Sequence, residues 1–266
     1  MDEGAPIGDL ADWEQVGARR VAREFDYPVY QRGEGPRVIL LHEFFGIRPD
    51  VVGLGDQLVE NGFAVTMPYL FGQADDRSPR VTPITQARLC ITKEFWALGG
   101  RGERGFSAKL RALAEALHAQ NSSRPGVGVI GMCFTGGFAL AAAVSPSVVA
   151  PVLGQPALPG ALFGGAMPLG RDEMSAVSRR ARDEGLCVLG VRFSGDRISP
   201  KRRFSALQKR FGDAFEVIEL DSSWGNPGRF GPMAHSVLTG EVREEPPNDA
   251  AGARDRVVTF LKEQLT

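Results

Sequence analysis

The chain has 266 residues, 43% of them hydrophobic and 24% charged, and its 31 Lys and Arg against 32 Asp and Glu leave a formal net charge of −1. That length can bury a large core within one α/β unit, and a near-neutral chain has no global basic field with which to hold nucleic acid or an anionic membrane. The acidic start Met1-Asp2-Glu3-Gly4 leads into no apolar signal region, and no run of about 18 apolar residues follows, so the expected compartment is the cytoplasm.

Residues 18–35, with Val21, Phe25 and Tyr27 before Gln31-Arg32-Gly33-Glu34-Gly35, read as one or two edge strands and a turn. Arg37 to Leu41 is a buried strand that ends in His42-Glu43-Phe44-Phe45-Gly46. An amphipathic helix bearing Val52, Leu54, Leu58 and Val59 follows Arg48-Pro49-Asp50 and closes at Asn61-Gly62, and the next strand runs from Phe63 to Met67. Residues 72–104, rich in Gly, Asp, Arg and Pro, read as an excursion over the site with one helix around Thr85 to Leu98. Phe106, Leu110, Leu113 and Leu117 mark one face of a helix that ends near His118, a solvated or helix-terminal residue. Strands at 127–130, 148–153, 186–193 and 215–220 then alternate with helices at 138–144, 171–184 and 200–211, with Cys187 expected to point inward from its strand. A 28-residue loop, 221–248, and a last helix with Val257, Val258, Phe260, Leu261 and Leu265 complete the chain. Such alternation implies a mostly parallel sheet with helices on both faces. No internal repeat or low-complexity linker divides it, so residues 1–266 read as a single domain.

The densest chemical signal is Gly131-Met132-Cys133-Phe134-Thr135-Gly136-Gly137, between the strand at 127–130 and the helix at 138–144. A strand turning sharply into a helix strains its corner residue, needs small neighbours, and leaves the corner side chain above the sheet edge. Cys133 is that corner, and the helix behind it aims N–H groups at the sulfur, favouring thiolate and any oxyanion formed beside it. This is a nucleophile elbow with sulfur in place of the usual oxygen. Gly126, Gly128 and Gly131 also satisfy G-x-G-x-x-G, but they fall before and inside the strand and residues 145–156 contain no acid, which argues against a dinucleotide site. An inert buried cysteine is the other alternative. Cys90, Cys133 and Cys187 show no C-x-x-C spacing and make neither a disulfide framework nor a structural zinc site.

A thiol nucleophile needs a base, and His235 lies in the long loop 221–248. The base needs an orienting acid. Asp196 follows a buried strand at the edge where open α/β sheets bind ligands, and the order nucleophile, acid, His is that of α/β-hydrolases. Asp221, also just past a strand, is the competing acid.

With these residues in place the chain resembles the dienelactone hydrolase family, α/β-hydrolases with a cysteine nucleophile, over residues 36–264. The resemblance rests on His42-Glu43-Phe44-Phe45-Gly46, Gly131-Met132-Cys133, Gly195-Asp196 and Ala234-His235-Ser236, in the family's order. It implies Cys133 as nucleophile, His235 as base, Asp196 as its orienting acid, and Glu43 as a buried carboxylate that takes the thiol proton when substrate arrives. It also implies an oxyanion hole from the N–H groups of Phe44 and Phe134. Two departures stand out. Thr135 replaces a frequent glycine, which should crowd the elbow slightly, and Thr239 replaces an arginine that helps to bind a substrate carboxylate. Arg88 is the remaining candidate for that contact.

The expected function is hydrolysis of a small ester or lactone through a thioester, in a pocket walled by Phe44, Phe45, Phe71 and Phe134, with no metal or organic cofactor. The expected partner is a small-molecule substrate, with no nucleic acid and no membrane, and the expected assembly is a monomer or small homo-oligomer. A non-catalytic ligand receptor on the same fold and a redox-sensing thiol are the alternatives, and intact His235, Asp196 and Glu43 argue against both, since a mere binder has no use for an oriented base.

Overall fold

The computed structural model describes residues 6–71, 105–157, 169–243, 245–246 and 249–266. Residues 72–104, including Arg88, lie outside the described set. In chain order the elements are β1 (Glu14–Val16), α1 (Ala18–Val21), β2 (Val29–Arg32), β3 (Arg37–Leu41), α2 (Pro49–Glu60), β4 (Ala64–Pro68) and α3 (Gly105–Ala119). Then come β5 (Val127–Met132), α4 (Gly136–Ala142), β6 (Val148–Gly154), α5 (Arg171–Asp183), β7 (Val188–Phe193), α6 (Lys201–Phe211), β8 (Phe215–Leu220) and α7 (Asp249–Leu265).

One sheet of eight strands runs in the order β1-β2-β4-β3-β5-β6-β7-β8. β2 is antiparallel to both β1 and β4, and every pairing from β4 through β3, β5, β6 and β7 to β8 is parallel. This is an α/β-hydrolase fold. The central strands are buried on both faces, as their unbroken apolar runs require. Alternation sorts their side chains between two cores. Val38 and Leu40 of β3 face the core shared with α2 and α7, whereas Ile39 and Leu41 face the core shared with α3, α4, α5 and α6. None of the described helices is long and apolar enough to cross a membrane.

The segment 18–35, read as one or two edge strands and a turn, holds one strand, β2, which lies second from the edge of the sheet. Ala18–Val21 is one helical turn, and the first strand lies earlier, at Glu14–Val16. Val21 and Ala22 are buried side by side and Arg23 and Glu24 are both exposed, a pattern that the two-residue alternation of a strand does not give. Cys187 is the second correction. It lies one residue before β7, partly exposed, with its thiol donating to Gly185 O at 3.6 Å. His118 does end α3, but it is tied down: its ring meets Ser147 Oγ at 3.2 Å and Arg124 O at 3.1 Å.

Parallel strands point their carboxyl ends to one edge, and the loops leaving β3, β5, β6, β7 and β8 there carry Glu43, Cys133, Gln155, Asp196 and His235.

Candidate active site

Cys133 follows β5 directly and has φ of 52°, the left-handed region that a residue with a Cβ enters at a cost of about 1–3 kcal/mol. The turn is held by close packing. A Cβ on Gly131 would lie 2.4 Å from Thr135 O, and one on Gly136 would lie 2.8 Å from Pro156 Cα, so only glycine fits at either place. Thr135 proves to be a brace. Fully buried, its hydroxyl accepts from Met132 N at 2.9 Å and lies within donating distance of His42 O, at 3.0 Å, and Met132 O, at 2.9 Å. The elbow is thereby pinned to the end of β3. On its other side Ala157 N donates to Cys133 O at 2.8 Å. The Cys133 side chain remains partly exposed.

His235 and Asp196 come together from loops 39 residues apart, with Nδ1 to Oδ2 at 2.7 Å. The other oxygen, Oδ1, accepts from Ile198 N at 2.8 Å and Ser199 N at 3.0 Å, so the carboxylate cannot rotate freely. Burial works to raise the Asp196 pKa, but the hydrogen bonds from His235 and from these two N–H groups outweigh it and hold the carboxyl below its ordinary value. An ionised acceptor fixes the proton on Nδ1 and turns Nε2 away from it. Nε2 is buried and has no hydrogen bond of ordinary geometry among the described residues. Burial would lower the His235 pKa, yet the hydrogen bond to Asp196, reinforced by the proximity and charge of Cys133, pushes it up to about 10. Asp221 does not share in this. It accepts from Ser223 N at 2.8 Å and from Ser194 Oγ at 3.4 Å at the surface.

Glu43 is 6% exposed, and its nearest polar contacts are neutral donors: Gln155 Nε2 at 2.8 Å and Thr239 Oγ1 at 2.9 Å to Oε1, and Ser236 Oγ at 2.8 Å to Oε2. Burial raises its pKa, while the charge of His235 and the hydroxyls of Ser236 and Thr239 oppose the rise. The preceding His42 fixes the backbone that carries it. Its Nε2 accepts from Leu70 N at 3.0 Å and its Nδ1 meets Glu43 O at 2.7 Å, which defines a neutral tautomer, and burial keeps the ring neutral by lowering its pKa to about 4.

The expected aromatic wall is present. Phe44, Phe71 and Phe134 lie at mutual centroid distances of 5.7–6.2 Å, and Phe45, 39% exposed, stands 6.1 Å from Phe44. Phe44 and Phe134, the two residues expected to supply oxyanion N–H groups, thus approach each other from the loop after β3 and from the elbow. Gln155 was not foreseen from the sequence. Its signal was positional: like Asp196 it ends a buried strand at the carboxyl edge, in Gly154-Gln155-Pro156.

Residues 27–156 match the family model described as the dienelactone hydrolase family. No curated protein matches the chain. Among solved structures, dienelactone hydrolase from Anabaena variabilis superposes with a TM-score of 0.60 at 16% identity, over 96% of this chain and 98% of that one. A dienelactone hydrolase-like promiscuous phosphotriesterase from metagenomic libraries gives 0.61 at 16% identity over the same shares. Carboxyl esterase 2 from the fungus Tuber melanosporum gives 0.55 at 16% identity, over 96% and 87%. Residues 27–156, which hold β2 to β5, Glu43 and the elbow, are thus similar to the dienelactone hydrolase family, and the fold is that of the α/β-hydrolases.

Proposed function

We propose that the protein hydrolyses a small ester or lactone by a thioester mechanism. The observation that carries this reading is the strained Cys133, φ 52°, at the end of β5 beside an imidazole whose far nitrogen is held by Asp196 at 2.7 Å. His235 Nε2 takes the Cys133 proton and the thiolate attacks the substrate carbonyl carbon. The developing oxyanion is held by the N–H groups of Phe44 and Phe134, donors typically worth about 10²–10³ in rate each. The tetrahedral adduct collapses to a thioester as the imidazolium gives its proton to the leaving alkoxide oxygen. His235 next takes a proton from water, which attacks the thioester carbonyl, and the acid leaves as the proton returns to sulfur. In a lactone the protonated leaving group stays on the acyl chain as a hydroxyl, and the second step releases a single hydroxy acid. Asp196 keeps Nδ1 protonated and offsets the imidazolium charge.

The test is a panel of p-nitrophenyl esters and small lactones, dienelactone included, on wild type and Cys133→Ala. Turnover that falls by about 10⁴ or more in the variant supports the reading. No hydrolysis across the panel, with ligand-induced thermal shifts, would replace it with a receptor, and reversible peroxide oxidation of Cys133 without turnover would replace it with a redox sensor.

A further inference from the structure

Gln155 combines three unfavourable features at one position. It is fully buried, its φ is 32° although it is not glycine, and its Oε1 has no hydrogen-bond partner among the described residues. Strained backbone and unsatisfied buried polar atoms persist where the surroundings enforce them, and they concentrate at functional sites. What enforces them here is visible on both sides. The backbone N–H is anchored to Val191 O of β7 at 2.7 Å, and Nε2 is delivered to Glu43 Oε1 at 2.8 Å.

Glu43 is therefore gripped by an amide and two hydroxyls, those of Thr239 and Ser236, all of them neutral. None of its hydrogen bonds goes to Cys133, and the charge that most favours its ionised form is that of His235. We propose that Gln155 is a positioning residue which, with Ser236 and Thr239, holds Glu43 as an anion away from Cys133, so that Glu43 serves as a second, through-space counter-charge to the His235 imidazolium. In this arrangement the proton of Cys133 Sγ goes to His235 Nε2, since Glu43 is engaged by its three donors. This rests on the proposed pairing of Cys133 with His235.

Burial already pushes Glu43 towards its neutral form, so its ionisation depends on these donors. The other groups bearing on the balance are Asp50 of α2, which disfavours the Glu43 anion, and His42 at the end of β3, which stays neutral. Asp196 and Cys133 face His235 directly, and Glu241, in the same loop as His235, also senses its charge. Removing a donor from Oε1 raises the pH at which Glu43 becomes anionic. Below that pH the imidazolium loses a counter-charge and the thiolate becomes scarcer.

The experiment is the pH dependence of Cys133 alkylation by iodoacetamide, read by mass spectrometry on the Cys133 peptide so that Cys90 and Cys187 do not contribute. Gln155→Met, similar in length but with no donor, should move the ascending midpoint to higher pH by about half a unit to one unit, lowering the rate below the midpoint by about three- to tenfold. Thr239→Val, which removes the other donor to Oε1, should move it the same way and decides the matter if Gln155→Met does not fold. Val177→Ala, a core cavity in α5, should lower the melting temperature and leave the midpoint in place. A midpoint unmoved in folded Gln155→Met and Thr239→Val, or moved equally by Val177→Ala, overturns the proposal. Because alkylation needs no ester turnover, a failed hydrolysis panel with the shift intact counts against the hydrolase reading and leaves the role of Gln155 standing.

Discussion

Asp196 divides its carboxylate between two tasks: Oδ2 takes His235 Nδ1 at 2.7 Å, and Oδ1 takes the N–H groups of Ile198 and Ser199 at 2.8 and 3.0 Å. An acid held on one side by backbone cannot follow the imidazole if the ring turns, so it fixes both the tautomer and the direction of Nε2. Asp196→Asn keeps the shape but lets an amide N–H face Nδ1, which stabilises the wrong tautomer. The expected outcome is a fall in kcat of about 10⁴ on any ester that wild type hydrolyses. Asp221→Asn, at the surface and bonded only to Ser194 and Ser223 among the described residues, should leave kcat nearly unchanged. Steady-state kinetics on the two variants side by side check this, and a reversed pattern would move the role to Asp221.

The same pair shapes stability against pH. The folded pKa of His235, about 10, lies above its ordinary value of 6.5, so its contribution is fully present below about pH 6.5 and is lost as pH rises through 10. Asp196 is lowered, so its contribution is present above the ordinary carboxylate value and is lost as pH falls through its folded value. Urea melts at pH 6, 8 and 10 should therefore show the advantage of wild type over His235→Gln shrinking towards alkaline pH. An advantage constant across that window would refute the assignment.

The outline of the sheet was legible in the sequence because β3, β5, β6 and β7 are buried on both faces and leave unbroken apolar runs between turn residues. The helices α2 and α7 announced themselves by periodicity. Within residues 18–35 the strand β2 was legible, whereas Val21, Phe25 and Tyr27 fit a loose alternation that hides the helical turn, where Val21 and Ala22 are buried side by side. At the site, Cys133, Asp196 and His235 could be found from strand ends and chain order. What holds Glu43 could not. Its donors come from residues 155, 236 and 239, more than 100 positions away, and no local pattern links a Gln before a proline to a Glu after another strand. Thr135 looked like crowding for a related reason: its benefit lies in a bond to His42 O, 93 residues distant.

Thr135 gives a stability prediction. Thr135→Val keeps the volume but strands Met132 N and His42 O without the hydroxyl, and a buried polar group left unsatisfied costs about 1–3 kcal/mol. Chemical denaturation should show a loss in that range, and kcat should fall with it because the elbow loses its tie to β3. Thr135→Ser retains the hydroxyl and should lose less. A Thr135→Val variant as stable as wild type, or less destabilised than Thr135→Ser, would contradict the role of the hydroxyl.

Substrate charge gives another. Thr239 is fully buried with its hydroxyl committed to Glu43 Oε1, so it offers no cationic or free polar group to a substrate carboxylate. A charge-assisted contact to a carboxylate contributes about 1.5–3 kcal/mol, and its loss removes the usual advantage of an anionic ligand. For a lactone bearing a carboxylate and its methyl ester, kcat/KM should be at least as high for the neutral compound, and Arg88→Ala should change the latter by less than about fivefold. A preference of about tenfold or more for the free acid that disappears in Arg88→Ala would show that one arginine suffices.

The central claim is a covalent acyl group on the sulfur of Cys133. Wild type mixed with a p-nitrophenyl ester and quenched in acid within the first turnovers should show, by intact-protein mass spectrometry, one added acyl mass, and peptide mapping should place it on Cys133. Cys133→Ala should show neither the adduct nor the initial burst of p-nitrophenol. Turnover by Cys133→Ala within about tenfold of wild type, or an acyl group mapped to another residue, would contradict the account.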